Sequence, residues 1–145
     1  MRAVVQRVSR ASVSVEGQVL GAIGPGLLVL VGVGRRDGPA QADRLAERLW
    51  QLRIFEDHEG RPNLSAADLG LPLLVVSQFT LYADTSRGRR PSFAPAAPAE
   101  EAEPLVERVV AQLRDHGAEV ATGRFGATMT VALVNEGPFT VLLET

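Results

Sequence analysis

The chain has 145 residues, a formal net charge of -2 and no cysteine. A single domain of this length can bury roughly 70% of the surface its unfolded form exposes, so it builds a core without disulfides or thiolate metal sites, which the missing cysteine excludes. The charge balance argues against a protein that coats nucleic acid by bulk electrostatics, and no run approaches the roughly 20 apolar residues of a membrane span.

The N-terminus alternates in polarity and has no continuous apolar core of the kind a secretion signal carries, so a cytoplasmic protein is the default expectation. Residues 1–34 read as strands. Val4, Gln6 and Val8 alternate, as do Ser12, Val13, Ser14 and Val15, with turn chemistry at Glu16-Gly17-Gln18 and Gly24-Pro25-Gly26. Leu27 to Val31 is a wholly apolar strand. Asp37-Gly38-Pro39 opens a helix with proline in its first turn, and Leu45, Leu49 and Leu52 form its buried stripe. A strand through Ile54-Phe55 and a turn at Gly60 lead to Leu73-Leu74-Val75-Val76, an apolar run that reads as buried on both faces. Tyr82 to Pro98 holds Pro91, Pro95 and Pro98 without a period, so it reads as an extended loop. At about 17 residues it is long enough to suggest a function. A second helix is expected from near Pro104 to Gly117 with Leu105, Val109 and Leu113 on one face, and three strands close the chain. The expected architecture is α/β: one domain over residues 1–145, layered β/β/α, with two helices packed on mixed sheets.

Two segments break the pattern of plain core strands. Ser77-Gln78-Phe79-Thr80-Leu81 ends the apolar run with an abrupt change to polar residues. If it is a strand, Ser77, Phe79 and Leu81 face one way while Gln78 and Thr80 face the other. Asn135-Glu136-Gly137-Pro138-Phe139-Thr140 interrupts a second apolar stretch, between Val131-Ala132-Leu133-Val134 and Val141-Leu142-Leu143, and is either a hairpin turn or a rigid backbone feature. Arg87, Arg89 and Arg90 make the densest basic cluster, inside the proline-containing loop. Gly32-Val33-Gly34-Arg35-Arg36-Asp37-Gly38 imitates a dinucleotide fingerprint, but its glycine spacing is one residue too long and two arginines stand where the chain should approach a pyrophosphate.

In order and spacing these landmarks resemble the D-aminoacyl-tRNA deacylase family. The resemblance takes in Ser77 to Leu81, the Asn135 to Thr140 stretch, the opening Met1 to Val8, the hairpin around Val15-Glu16-Gly17, Arg53-Ile54-Phe55, Arg90-Pro91-Ser92-Phe93 and Phe125-Gly126-Ala127-Thr128-Met129. It implies hydrolysis of the ester between a D-amino acid, or glycine, and the 3′ end of tRNA, in a homodimer without metal or organic cofactor. Ser77, Gln78, Phe79 and Thr80 would then line the pocket for the terminal adenosine and its amino acid. Gly137-Pro138, with a cis bond, would reach into the partner's pocket and reject L side chains, with Arg7 bracing it. Asn135, Phe125 and Met129 would stand beside the substrate, and Arg87, Arg89 and Arg90 would contact tRNA phosphates. Thr128 departs from the family's usual acidic residue, so no carboxylate role carries over there.

The chemistry left open is how the ester is attacked. A threonine nucleophile needs a base, and the two histidines, His58 and His116, lie outside every motif. Backbone N–H groups near Phe79 and Thr80 can instead stabilise the oxyanion while a water or the ribose 2′-hydroxyl supplies the attack. The alternative to an enzyme is a non-catalytic nucleotide- or RNA-binding homodimer of the same fold.

Overall fold

The computed structural model describes residues 1–145. Its elements run β1 Arg2–Val15, β2 Gln18–Ile23, β3 Gly26–Gly32, α1 Pro39–Trp50, β4 Phe55–Glu56, β5 Pro62–Leu64, α2 Ala66–Leu69, β6 Leu73–Ser77, a 3₁₀ turn Phe79–Tyr82, α3 Ala99–Asp115, β7 Val120–Thr122 and β8 Thr130–Glu144. β1 is the spine of a mixed six-stranded sheet: Arg2–Val8 pairs with β3, Ala11–Val15 with β2, and Arg2–Ser14 with β8, all antiparallel. β6 joins β3 in parallel, and β7 joins β6 in parallel. Parallel neighbours need crossover connections, which the helices supply. The sheet curls until β2 lies against β7, where a side chain on Gly21 would place its Cβ 2.8 Å from the Thr122 carbonyl oxygen. Glycine lets that nearly closed seam form.

The curl makes two cores. Leu27, Val29, Leu73 and Val75 pack with Leu45 and Leu49 of α1 and Val109 and Leu113 of α3. Their neighbours Leu28, Leu74 and Val76 turn the other way, into a smaller cluster with Val8, Ala11 and Val13 inside the curled sheet. β3 and β6 are therefore buried on both faces, which is why they read as unbroken apolar runs. β1 serves both cores by changing phase. Ala3 and Val5 face the helices, register shifts flank Val8, and Val8, Ala11 and Val13 then face the inner core.

The layered expectation holds only in part, since one curled six-stranded sheet and a separate two-stranded β4–β5 sheet stand where stacked mixed sheets are expected, and three expected details change. There are three helices. The short α2 starts on a capping box in which the Ser65 N–H donates to Asp68 Oδ2 at 2.8 Å and the Asp68 N–H to Ser65 Oγ at 3.2 Å. The Ser65 hydroxyl, which also donates to Asp68 Oδ2 at 2.7 Å, and then the Ser65 N–H hold the Asp68 carboxyl below its usual range. α3 begins at Ala99, not near Pro104, because Glu100 and Glu101 form an acidic first turn that complements the helix dipole. Two strands rather than three close the chain, since β8 runs unbroken through Asn135 to Thr140. No helix is long and apolar enough to cross a membrane.

Candidate active site

β3 and β6 run in parallel and end together, and ligands in such sheets gather at the carboxyl ends of the strands. The last rung is the Gln78 N–H donating to the Val31 carbonyl at 2.7 Å. Beyond it the chain leaves the sheet. Leu81 N–H donates to the Gln78 carbonyl at 3.2 Å and Ala83 N–H to that of Thr80 at 3.0 Å, closing the 3₁₀ turn Phe79–Tyr82. The alternation expected for a strand through Leu81 therefore fails after Ser77: Phe79 and Thr80 are both exposed.

Glycines seat this turn against the end of β3. A Cβ on Gly34 would stand 2.7 Å from Cε1 of Tyr82, and one on Gly32 would stand 3.0 Å from the Gln78 carbonyl oxygen. The glycine-rich segment thus serves the molecule's own backbone packing, not a dinucleotide. Tyr82 is pinned from three sides. Its hydroxyl donates to Asp37 Oδ2 at 3.0 Å, and the Arg2 guanidinium stacks 4.7 Å from its ring centre while donating to the Leu81 carbonyl at 3.1 Å. Burial, and then the Asp37 carboxylate, push the Tyr82 phenol well above its ordinary ionisation range.

The turn forms one lip of a pocket of about 450 Å³, twelve of whose fifteen lining residues are hydrophobic. Ser77, Gln78, Phe79, Phe125 and Met129 all line it. Sequence reasoning missed the opposite wall, where Ala99, Ala102 and Val106 of α3 join Ala97. The expected helix starts only near Pro104, so Ala99 and Ala102 fall before it, and only their placement beside Ser77 exposes the role. Phe79 is 57% exposed and meets Phe93 edge-on, ring centres 5.0 Å apart. Thr80 lies outside the lining, and its hydroxyl accepts a hydrogen bond from the Gln78 amide. No lining residue is titratable. His58 sits in the β4–β5 turn and His116 at the end of α3, and no group of three or more histidine, aspartate or glutamate side chains converges anywhere on the chain.

Asn135 to Thr140 is a bulge in β8. Gln6 pairs with Thr140 and Val8 with Asn135, so Arg7 alone stands opposite residues 136–139. The Asn135 amide closes the bulge by donating to the carbonyls of Arg7 at 2.9 Å and Phe139 at 3.1 Å. The Arg7 guanidinium donates to the carbonyls of Glu136 at 3.2 Å, Gly137 at 3.3 Å and Ile54 at 2.9 Å, and stacks 4.5 Å from the Phe139 ring centre. The Gly137–Pro138 bond is cis, and both residues are exposed. Asn135, Gly137 and Pro138 do not line this chain's own pocket. Thr128 is exposed between the pocket residues Ala127 and Met129. Arg87, Arg89 and Arg90 are exposed near the tip of a loop closed at its base by the backbone pair Asp84 and Ser92, with bonds of 2.7 and 2.9 Å.

The chain is similar to known proteins along nearly its whole length. Residues 4–144 match the family described as D-Tyr-tRNA(Tyr) deacylase. A D-aminoacyl-tRNA deacylase of Thermobifida fusca (strain YX) is 64% identical over 145 residues, covering 99% of each chain. One from Roseiflexus sp. (strain RS-1) is 62% identical, covering 99% of this chain and 93% of its own. Among solved structures, the c-Myc DNA Unwinding Element Binding Protein superposes with a TM-score of 0.93 at 40% identity, covering 100% of this chain and 99% of its own. A probable eukaryotic D-amino acid tRNA deacylase shares the fold, with a TM-score of 0.84 at 18% identity over 98% of this chain and 97% of its own. With the match running nearly end to end, the chain belongs to the D-aminoacyl-tRNA deacylase family.

Proposed function

We infer that this chain hydrolyses the ester between a D-amino acid, or glycine, and the 3′ end of tRNA, releasing free tRNA and the amino acid in the cytoplasm. The observation that carries the reading is a pocket of about 450 Å³ that is apolar except at Ser77 and Gln78 and lacks any titratable group. Such a site takes an adenosine and a small ester without supplying a general base of its own. The substrate brings its own activation, because the α-ammonium and the vicinal 2′-hydroxyl already polarise the ester.

A 3₁₀ turn leaves its first N–H groups without an internal partner. That of Gln78 is taken by Val31, and no side chain caps the turn, so the N–H groups of Phe79 and Thr80 serve as the oxyanion donors. Each such donor is typically worth a factor of about 10²–10³ in rate. Attack by the 2′-hydroxyl alone would only move the ester along the ribose. Hydrolysis needs a water, which adds to the carbonyl carbon while its proton passes through the 2′-hydroxyl to the leaving 3′-oxygen. Thr80 positions Gln78 and does not attack.

Two chains build the complete site. β8 has one hydrogen-bonded neighbour, β1, and its free edge carries Val134 at 40% and Leu142 at 72% exposure. An apolar, unpaired edge of fifteen residues is the surface a second copy covers. A Cβ on Gly137 would meet nothing within 4 Å, so the Gly137–Pro138 step is free to project into the partner's pocket, its carbonyls oriented by Arg7. Backbone placed there excludes an L side chain by sterics but has nothing to exclude in glycine. Asn135 contributes by holding the bulge, and Arg87, Arg89 and Arg90 meet tRNA phosphates.

The test is release of amino acid from tRNA charged with D-tyrosine, L-tyrosine or glycine. D-tyrosine and glycine should be released and L-tyrosine retained. Binding of tRNA without release of D-tyrosine would leave the non-catalytic RNA-binding reading in its place.

A further inference from the structure

Phe79 at one end of the 3₁₀ turn lines the apolar pocket, and Tyr82 at its other end lines a second cleft, of about 630 Å³, with the opposite chemistry: only two of its nine lining residues are hydrophobic. Three arginines, Arg2, Arg35 and Arg36, line it with Tyr82, Asp37 and Asp84. Its acids are already committed. Asp37 accepts from the Met1 ammonium at 2.6 Å, the Gly34 N–H at 2.6 Å and the Tyr82 hydroxyl at 3.0 Å, while Asp84 accepts from the Ser86 N–H at 2.9 Å.

Its cations are largely uncommitted. Arg36 makes no side-chain hydrogen bond or ion pair, and Arg35 spends only its Nε, on the Ala94 carbonyl at 2.6 Å, leaving both terminal nitrogens open. Arg2 uses Nη1 on Leu81 and Nε on Glu144 at 2.8 Å, which leaves Nη2. The arginine-bearing loop is rooted on the same rim, since Asp84 and Pro95 both line the cleft and the Arg35 N–H donates to the Pro95 carbonyl at 3.2 Å. Six of the fifteen basic residues of a chain with net charge -2 thus gather in the cleft and its loop. Forked guanidinium donors in a concave polar site match the geometry of phosphate oxygens.

We propose that this cleft is a phosphodiester subsite that grips the backbone of the tRNA 3′ strand just upstream of the aminoacylated adenosine. The inference rests on the reading that the apolar pocket holds that adenosine. One four-residue turn then separates the reacting end of the strand from the groups that anchor it. Because phosphate contacts fix register without reading bases, the subsite serves every tRNA alike.

The experiment compares two substrates, D-tyrosyl-tRNA and the D-tyrosyl ester of adenosine, which lacks the upstream phosphates. Arg36→Ala and the double variant Arg35→Ala/Arg36→Ala are tested against the parent, with Arg35→Lys/Arg36→Lys as the charge-retaining control. For D-tyrosyl-tRNA the double alanine variant should raise KM about tenfold with kcat within about twofold. It should also lower the salt dependence by about one unit of slope per lost phosphate contact. The lysine variant should recover part of the loss. Hydrolysis of the adenosine ester should be unchanged in all three. An unchanged KM and salt slope for the tRNA would overturn the proposal, and so would a parallel loss on the adenosine ester, which would make these arginines supports of the turn. Failure of the parent protein to cleave either D-ester would instead strike the deacylase reading itself.

Discussion

The seating of the Phe79–Tyr82 turn on glycine gives a quantitative test through Gly34→Ala. The new Cβ would lie 2.7, 2.8 and 2.9 Å from Cε1, Cζ and the hydroxyl oxygen of Tyr82, closer than real Cβ contacts come, so the ring must move. It cannot move freely, because its hydroxyl is bonded to the Asp37 carboxylate at 3.0 Å and Arg2 covers its face at 4.7 Å. A displacement that breaks the Asp37 bond loses a hydrogen bond to a charged group, worth about 1.5–3 kcal/mol, and residual overpacking costs about 1–3 kcal/mol. Since the two overlap, a total near 3 kcal/mol is expected, which for a domain of this size lowers Tm by roughly 6–12 °C. Gly34 is not among the residues with positive φ, so backbone strain adds nothing. Chemical unfolding of the parent, Gly34→Ala, Tyr82→Phe and the double variant forms the cycle. Tyr82→Phe removes the bond without the clash, so the double variant should be less destabilised than the sum of the singles. A cost for Gly34→Ala below about 0.5 kcal/mol, or strict additivity, would show that Tyr82 is not held by these contacts and refute the reasoning.

Tyr82 is the chain's one tyrosine, so its ionisation can be followed by absorbance alone. Its folded pKa is raised, chiefly by burial and then by the Asp37 carboxylate, so the stability it contributes is complete below the unfolded phenol's midpoint of about pH 10 and is lost as pH rises through it toward the folded value; a native titration midpoint at the ordinary phenol value would contradict both the burial of the hydroxyl and the Asp37 contact. Thr80→Ala should keep deacylation within roughly tenfold of the parent, about 1.4 kcal/mol in the barrier, whereas loss of several orders of magnitude with a trapped aminoacyl-enzyme would establish a covalent threonine. Replacing Arg87, Arg89 and Arg90 with alanine should weaken tRNA binding equally for every amino acid carried and flatten its salt dependence, and unchanged binding would reduce the cluster to a solvated loop tip.

What was legible in the sequence followed the strength of local periodicity. Leu73 to Val76 reads as a doubly buried strand because both faces of β6 do meet cores, and Pro39 marks the start of α1 because its missing N–H costs nothing there. The failures lie where tertiary contacts override the local pattern. Ser65-Ala66-Ala67-Asp68 carried the signature of a capping box, yet a four-residue helix is too short to show a period. At Gly137-Pro138 the sequence allows either a hairpin turn or a rigid backbone feature, because proline removes a ladder bond from a central strand. The structure reconciles them by placing proline in a bulge on the sheet's free edge, where Asn135 and Arg7 supply the bonds that the ladder lacks.

The site divides in the same way. The polar switch at Ser77 marked the pocket, but the turn that shapes it could not be read, because the residues that hold it are distant in sequence: Arg2 of β1, Gly32 at the end of β3, and Gly34 and Asp37 just beyond it contact Leu81 and Tyr82. Gly32 to Gly38 looked like a poor nucleotide fingerprint for a related reason. Its glycines provide close approach to a neighbouring turn, and a sequence pattern records that an approach is close without recording what approaches. The two arginines that spoiled the fingerprint are the same two that line the second cleft, so the feature that ruled out one polyphosphate ligand is the feature that suits another. Backbone amides cradle a pyrophosphate only where the chain is bare, whereas guanidinium groups hold a phosphodiester from a distance. The departure from the fingerprint therefore carries the functional information in that segment, and the match does not.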